Sequence, residues 1–186
     1  RRARGLALLA ALRSQIGRDL GACLAPLNAF LAGVGLETLA LRVERHNANA
    51  LQLAQFLAGA VGEAAVRYPG LPSHPDHALA RRQFGGSFGP LVTVRLGSRE
   101  RAFRFINALR LARVMAHIGD SRTLVVHPAS TFAREFTAPE RQAMGVSDDL
   151  VRFAVGIEHA GDIVDDVRGA LAAALTTASP ALGAAG

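Results

Sequence analysis

Four groups of residues in this 186-residue chain carry side chains that could do chemistry. Gly85-Gly86-Ser87-Phe88-Gly89 has the spacing of a nucleophile elbow, in which a strand delivers a serine to a sharp turn and a helix follows. His74 and His77, three residues apart, could face one metal ion, although no third ligand sits nearby in sequence. Gly119 to Thr131 (GDSRTLVVHPAST) offers hydroxyls and backbone amides that could line an anion or carboxylate pocket. Arg152 lies in Leu150 to Ile157, where Val151, Phe153, Val155 and Ile157 form one apolar face. Arg152 falls on the other face beside the small residues Ala154 and Gly156. A guanidinium held on a strand can grip a carboxylate through two hydrogen bonds. From the residues alone, a solvated arginine on an exposed face is the competing reading.

Composition removes several chemistries. All 21 Lys+Arg residues are arginine, so no side-chain amine is available for a Schiff base, a general base or a Walker-type phosphate contact. The single cysteine, Cys23, excludes an intrachain disulfide framework and fits a reducing compartment, most simply the cytoplasm. The net charge of +6 raises nucleic-acid binding. The arginines are interleaved with acids, however, and no aromatic platform accompanies them, so no nucleic-acid partner is expected. The longest uncharged apolar stretch, Gly21 to Leu36, is broken by Pro26, Asn28, Gly33 and Gly35 and is too short for a membrane span. The basic and then apolar start (Arg1 to Leu12) imitates a signal peptide but lacks a clean cleavage site.

The elements that must position these residues can be read from spacing. Ser14 to Leu20 reads as a helix, and a second helical region runs from Ala22 to about Gly59. On the latter, Leu39, Val43, His46, Ala50, Leu53 and Leu57 make one apolar stripe. His46 on that stripe reads as a satisfied interface histidine rather than a ligand. Strands are predicted at Ala64 to Tyr68, Leu91 to Leu96, Ala112 to His117, Thr123 to His127 and Leu150 to Ile157. Helices are predicted at His74 to Arg82, from a Ser98 N-cap to Leu109, at Pro139 to Met144, and at His159 to Leu175 with Ile163, Val167 and Leu171 inward. Thr176 to Gly186 reads as a frayed tail. The mixture is an α/β or α+β domain behind a long helix. The elbow fails on order, because its helix comes before the serine and its strand after.

Four motifs then occur in order: PLNAFLAGVGLETLALRVERHNANA (from Pro26), YPGLPSHPDHALARRQF (from Tyr68), GDSRTLVVHPAST, and LVRFAVGIEHAGDIVDDV (from Leu150). Together they resemble the C-terminal part of the Cys/Met-metabolism PLP-dependent enzymes. The form of the third motif is similar to the O-acetylhomoserine sulfhydrylase branch. Cystathionine enzymes more often have Ser-Leu-Gly-Gly there.

The resemblance implies the small C-terminal domain of a fold-type I PLP enzyme. Its sheet would be mostly antiparallel, covered by helices and preceded by a long connecting helix. Residues 1–20 would be a remnant of the large domain, 21–60 the connecting helix, 61–176 the C-terminal α/β domain and 177–186 a flexible tail. Arg152 would bind the substrate α-carboxylate, which reverses the exposed-face reading. His117 falls where relatives place Asn or Ser, Ile118 would form pocket wall, and Thr123, Ser130 and Thr131 would support them. The family's PLP lysine and phosphate-holding residues lie upstream of everything matched, so no catalytic residue and no metal ligand is assigned here. The implied reaction is γ-replacement on an acylated homoserine, giving homocysteine, by a homotetramer acting on a small amino-acid substrate. The chain alone is expected to be inactive. A different class of function is an interaction module that pairs with a full-length homologue through Leu39, Val43, Ala50, Leu53 and Leu57.

Overall fold

The computed structural model describes residues 6–21 and 23–175. The expected tail and the extreme N-terminus lie outside these. The chain divides into two units, residues 1–40 and 41–186. In the first, the helix expected from Ser14 begins earlier: α1 (Ala7–Ala11), a π-helical turn (Leu12–Ile16) and α2 (Gly17–Leu20) run consecutively. Gly21 ends them in the left-handed region at φ 63°, a conformation that suits glycine. Then α3 (Pro26–Glu37) opens with proline at its first position. No residue of these helices is buried, and Leu8, Leu20, Leu27 and Phe30 are each at least 66% exposed.

The single helix expected from residue 21 to 60 is a correction. It is two helices, α3 and α4 (Leu39–Val61), because Thr38 leaves helical geometry at φ −106°, ψ 6°. The stripe on α4 also starts late. Leu39 and Val43 are exposed, whereas His46, Ala50, Leu53 and Leu57 are buried.

The second unit is built on a five-stranded sheet of order β1-β2-β5-β4-β3. The strands are β1 (Val66–Arg67), β2 (Leu91–Arg95), β3 (Arg113–Val114), β4 (Leu124–Val126) and β5 (Leu150–Ala154). The pairings β1–β2, β2–β5 and β4–β5 are antiparallel, and β3–β4 is parallel. All five expected strands are shorter than predicted: β2 loses Leu96, β4 loses Thr123 and His127, and the other three lose more. Ala64 and Ala65 form a 3-10 turn, Met115 to His117 leave the sheet, and β5 stops at Ala154.

Val92, Val94, Val125, Val151 and Phe153 meet Ala50, Leu53 and Leu57 of α4 in the core, with Phe105 of α6 (Arg99–Ala108) and Ile163, Val167 and Leu171 of α8 (Ala160–Leu175). Burying each Val, Leu, Ile or Phe side chain of this set supplies about 1.5–3 kcal/mol. The Ser98 hydroxyl accepts the Arg101 N–H at 3.2 Å, capping α6 as expected. Asp166 on α8 accepts backbone N–H groups from Arg110, Leu111 and Ala112 at 2.8–3.1 Å, which fixes the turn that enters β3.

Tyr68, just after β1, is fully buried, and its hydroxyl donates to the Gly89 carbonyl at 3.0 Å. Burial pushes its pKa up to about 12 from an ordinary 10.0. The unfolded chain therefore loses this proton first as pH rises. The associated stability is complete below pH 10 and is lost between 10 and about 12. Because Tyr68 is the only tyrosine and there is no tryptophan, ultraviolet titration reads this residue alone. The expected outcome is a midpoint near 12 in folded protein, an ordinary midpoint in urea, and an alkaline stability loss that Tyr68→Phe removes. A midpoint of 10 in folded protein would refute this.

Candidate carboxylate-binding site

Arg152 sits at the middle of β5, the central strand, opposite Thr93 of β2 and Val126 of β4. Directly opposed residues share a face, so these three lie on the side away from the α4–α6–α8 core. Of the apolar face read from the sequence, Val151, Phe153 and Val155 are buried and Ile157 is only half-buried; Arg152 is half-buried on the other face, between buried Leu150 and Ala154. The guanidinium lies 5.0 Å from the centre of the Phe132 ring, a cation–π contact. Its Nε is buried and has no hydrogen-bond partner. Among the described residues no acid pairs with it, and burial pushes its pKa below the usual guanidinium value. A buried donor left unpaired costs stability unless a ligand meets it. Phe132, in the loop after the 3-10 turn Pro128–Ser130, was not singled out in the sequence; an aromatic just after HPAST was the available signal.

β3 and β4 run parallel, and the segment 115–123 joins the end of one to the start of the other. Its beginning is held level with the middle of β4, because Met115 N–H donates to the Val125 carbonyl at 3.2 Å. Val126, the next residue of β4, faces Arg152 across the ladder. His117 and Ile118, both exposed, therefore leave the sheet two strands over from Arg152. Gly119 turns the chain at φ 83°, a value glycine tolerates and other residues rarely adopt. Asp120 then accepts the Arg122 backbone N–H at 2.9 Å and both Nε and Nη2 of its guanidinium at 3.1 and 3.2 Å. Those hydrogen bonds lower the Asp120 pKa to about 2.

Thr123 is fully buried and has every polar atom engaged. Its N–H and hydroxyl donate to the two Glu158 oxygens at 2.6 and 2.8 Å, and its Oγ1 accepts the Gly156 N–H at 3.0 Å. The segment after β5 is held from the other side by α4. His46 Nδ1 donates to the Val155 carbonyl at 2.6 Å, and Asn49 Nδ2 donates to the Gly156 and Glu158 carbonyls at 3.0 and 2.9 Å. His46 is thus satisfied inside this unit, and these side chains add to the two backbone bonds of the segment, from the Val155 N–H to the Pro90 carbonyl and from the Ile157 N–H to the Ser121 carbonyl, both 2.9 Å.

The other sequence candidates are accounted for. Ser87 is exposed in a loop between α5 (His77–Phe84) and β2, so the elbow order is absent. His74 precedes α5, which starts three residues later than expected, and its Nδ1 accepts the Asp76 N–H at 3.1 Å. The His77 ring donates to the Pro69 carbonyl at 2.8 Å and stacks on Phe88. No metal-holding cluster of three or more His, Cys, Asp or Glu occurs among the described residues. His127 is buried between the Asp148 carbonyl and Ser130, and Thr131 bonds the His127 carbonyl at 2.9 Å, so these polar ends hold their own loop. No described helix is long and apolar enough to cross a membrane.

This architecture is shared with solved structures. A Campylobacter jejuni structure assigned as an O-acetylhomoserine (thiol)-lyase, holding a pyridoxyl-lysine phosphate, superposes with a TM-score of 0.78 at 34% identity, over 88% of this chain and 39% of that one. The profile of the Cys/Met metabolism PLP-dependent enzymes matches residues 6–172. The chain belongs to that family. It is 44% identical over 156 residues to O-acetyl-L-homoserine sulfhydrylase 1 of Thermus thermophilus, covering 83% of this chain and 37% of the relative. It is 43% identical over 157 residues to the O-succinylhomoserine sulfhydrylase of Pseudomonas aeruginosa, covering 84% and 39%. The chain therefore spans well under half the length of these relatives. Covalent attachment of PLP needs a lysine amine. This chain has none, so its own residues do not fit that anchor.

Proposed function

We propose that this chain supplies the substrate-carboxylate side of a PLP-dependent homoserine sulfhydrylase, whose product would be homocysteine. The observation that carries the proposal is Arg152: a half-buried, acid-free guanidinium on the central strand with a buried, unpartnered Nε. His117 and Ile118 would border the same pocket, with Thr123 supporting them from within the loop. The role of these groups is to bind and orient an α-carboxylate, not to move protons. Residues 1–20 would belong to a larger PLP-holding domain, 21–60 to the connection and 61–176 to the C-terminal domain. The working enzyme would be a cytoplasmic homo-oligomer acting on an acylated homoserine. By itself the chain would be inactive.

The test joins the N-terminal portion of the Thermus thermophilus enzyme to this chain in place of its own matching portion. The expected result is homocysteine formation from O-acetyl-L-homoserine and sulfide by the chimera, and none by the chain alone with added PLP. A PLP-loaded chimera that makes no homocysteine, or robust turnover by the chain alone, would overturn the proposal.

A further inference from the structure

Two segments must keep a fixed spacing if the site is to grip a carboxylate: β5, which carries Arg152, and the 115–123 loop, which carries His117 and Ile118. No strand pairing joins the end of that loop to the end of β5, since the β4–β5 ladder stops at Leu124 opposite Ala154. Beyond the ladder the connection is made by four hydrogen bonds, two of them to one carboxylate. Glu158 takes the Thr123 N–H on one oxygen and the Thr123 hydroxyl on the other. Thr123 Oγ1 in turn accepts the Gly156 N–H, and the Ser121 carbonyl accepts the Ile157 N–H at 2.9 Å. Behind it, Asn49 holds the Glu158 carbonyl, so the carboxylate is presented from a fixed backbone.

We propose that Glu158 is a positioning residue, tying the loop that bears His117 and Ile118 to the strand that bears Arg152. The inference rests on the carboxylate-binding reading of Arg152. Charge-assisted acceptors of this kind are stronger than neutral ones, and both Thr123 donors are buried, so no water replaces Glu158 without rearrangement. Alanine at 158 removes two of these four hydrogen bonds and loosens the loop. Glutamine retains one carbonyl oxygen for the Thr123 N–H but cannot accept the hydroxyl on its nitrogen, and so restores the link in part.

The test uses the 186-residue chain, labelled with nitrogen-15, and O-acetyl-L-homoserine as the probe. Amide exchange at Thr123 and Gly156 reports the link without ligand, and the Arg152 Nε–H signal reports binding. Glu158→Ala is expected to lower protection at Thr123 at least tenfold and to weaken binding about tenfold. Glu158→Gln should give values between wild type and alanine and also covers the case in which the alanine variant fails to fold. Unchanged protection and affinity in Glu158→Gln, with binding abolished in Arg152→Ala, would overturn the positioning role and leave the carboxylate reading standing. No response of Arg152 in the wild-type chain would overturn both.

Discussion

Alanine at position 152 is expected to raise the KM for O-acetyl-L-homoserine about a hundredfold in the chimera, with a much smaller change in kcat. Two charge-assisted hydrogen bonds between a guanidinium and a carboxylate are together worth about 3 kcal/mol at a half-buried site, which corresponds to roughly two decades in affinity. The carboxylate does not change during a γ-replacement. Its grip is therefore spent equally on ground and transition states, and its loss falls on KM. Arg152→Lys should recover only part of the loss, because an ammonium cannot present two parallel donors. Steady-state kinetics settles the matter. An unchanged KM in the alanine variant would remove Arg152 from the site.

The second large effect is expected at Gly156. A Cβ there would overlap the Glu158 carboxylate and the backbone of Arg122, and would stand 2.5 Å from the Ser121 carbonyl oxygen. Two of these neighbours are main chain, pinned by the Ile157 N–H and by Thr123, and cannot step aside cheaply. Gly156→Ala should therefore destabilise the chain by about 3 kcal/mol, at the upper end for overpacking. That is a Tm drop of roughly 6–12 °C for a chain of this size. Gly169→Ala is the control. Nothing lies within 4 Å of a Cβ there, and alanine in a helix interior is favourable, so its Tm should hold or rise. Thermal unfolding followed by circular dichroism measures both; equal Tm values for the two variants would contradict the account.

Much of the second unit was readable from local pattern. The two-residue alternation through β5 separated Arg152 from the core face, the fourfold spacing on α8 picked Ile163, Val167 and Leu171 among its five buried residues, and Ser98 announced a helix start. These are signals in which a residue's neighbours in sequence are also its neighbours in space. The strands β1 and β3 are two residues long, too short for any periodicity to fix their ends. The break at Thr38 has no proline to mark it. The residues that hold the site were harder still. Glu158 meets Thr123 across 35 positions, Asn49 meets Gly156 across 107, and Asp166 meets Arg110 across 56. Polar contacts between such distant residues leave no local trace. Asn49 alone gave a hint, since with His46, Ala50 and Leu53 it falls on the buried side of a helix, where an asparagine must find partners.

The hold of α4 on the end of β5 sets how far this unit can be trimmed. The five strands all lie between Val66 and Ala154, so the sheet by itself suggests a boundary near residue 62. A chain shortened to begin there would keep every rung of the ladder. It would lose His46 and Asn49, and with them the donors to the Val155, Gly156 and Glu158 carbonyls. The smallest piece that can fold with the end of β5 held in place therefore starts at or before His46. In gene fusions and domain exchanges within this family, the helix should travel with the sheet it serves.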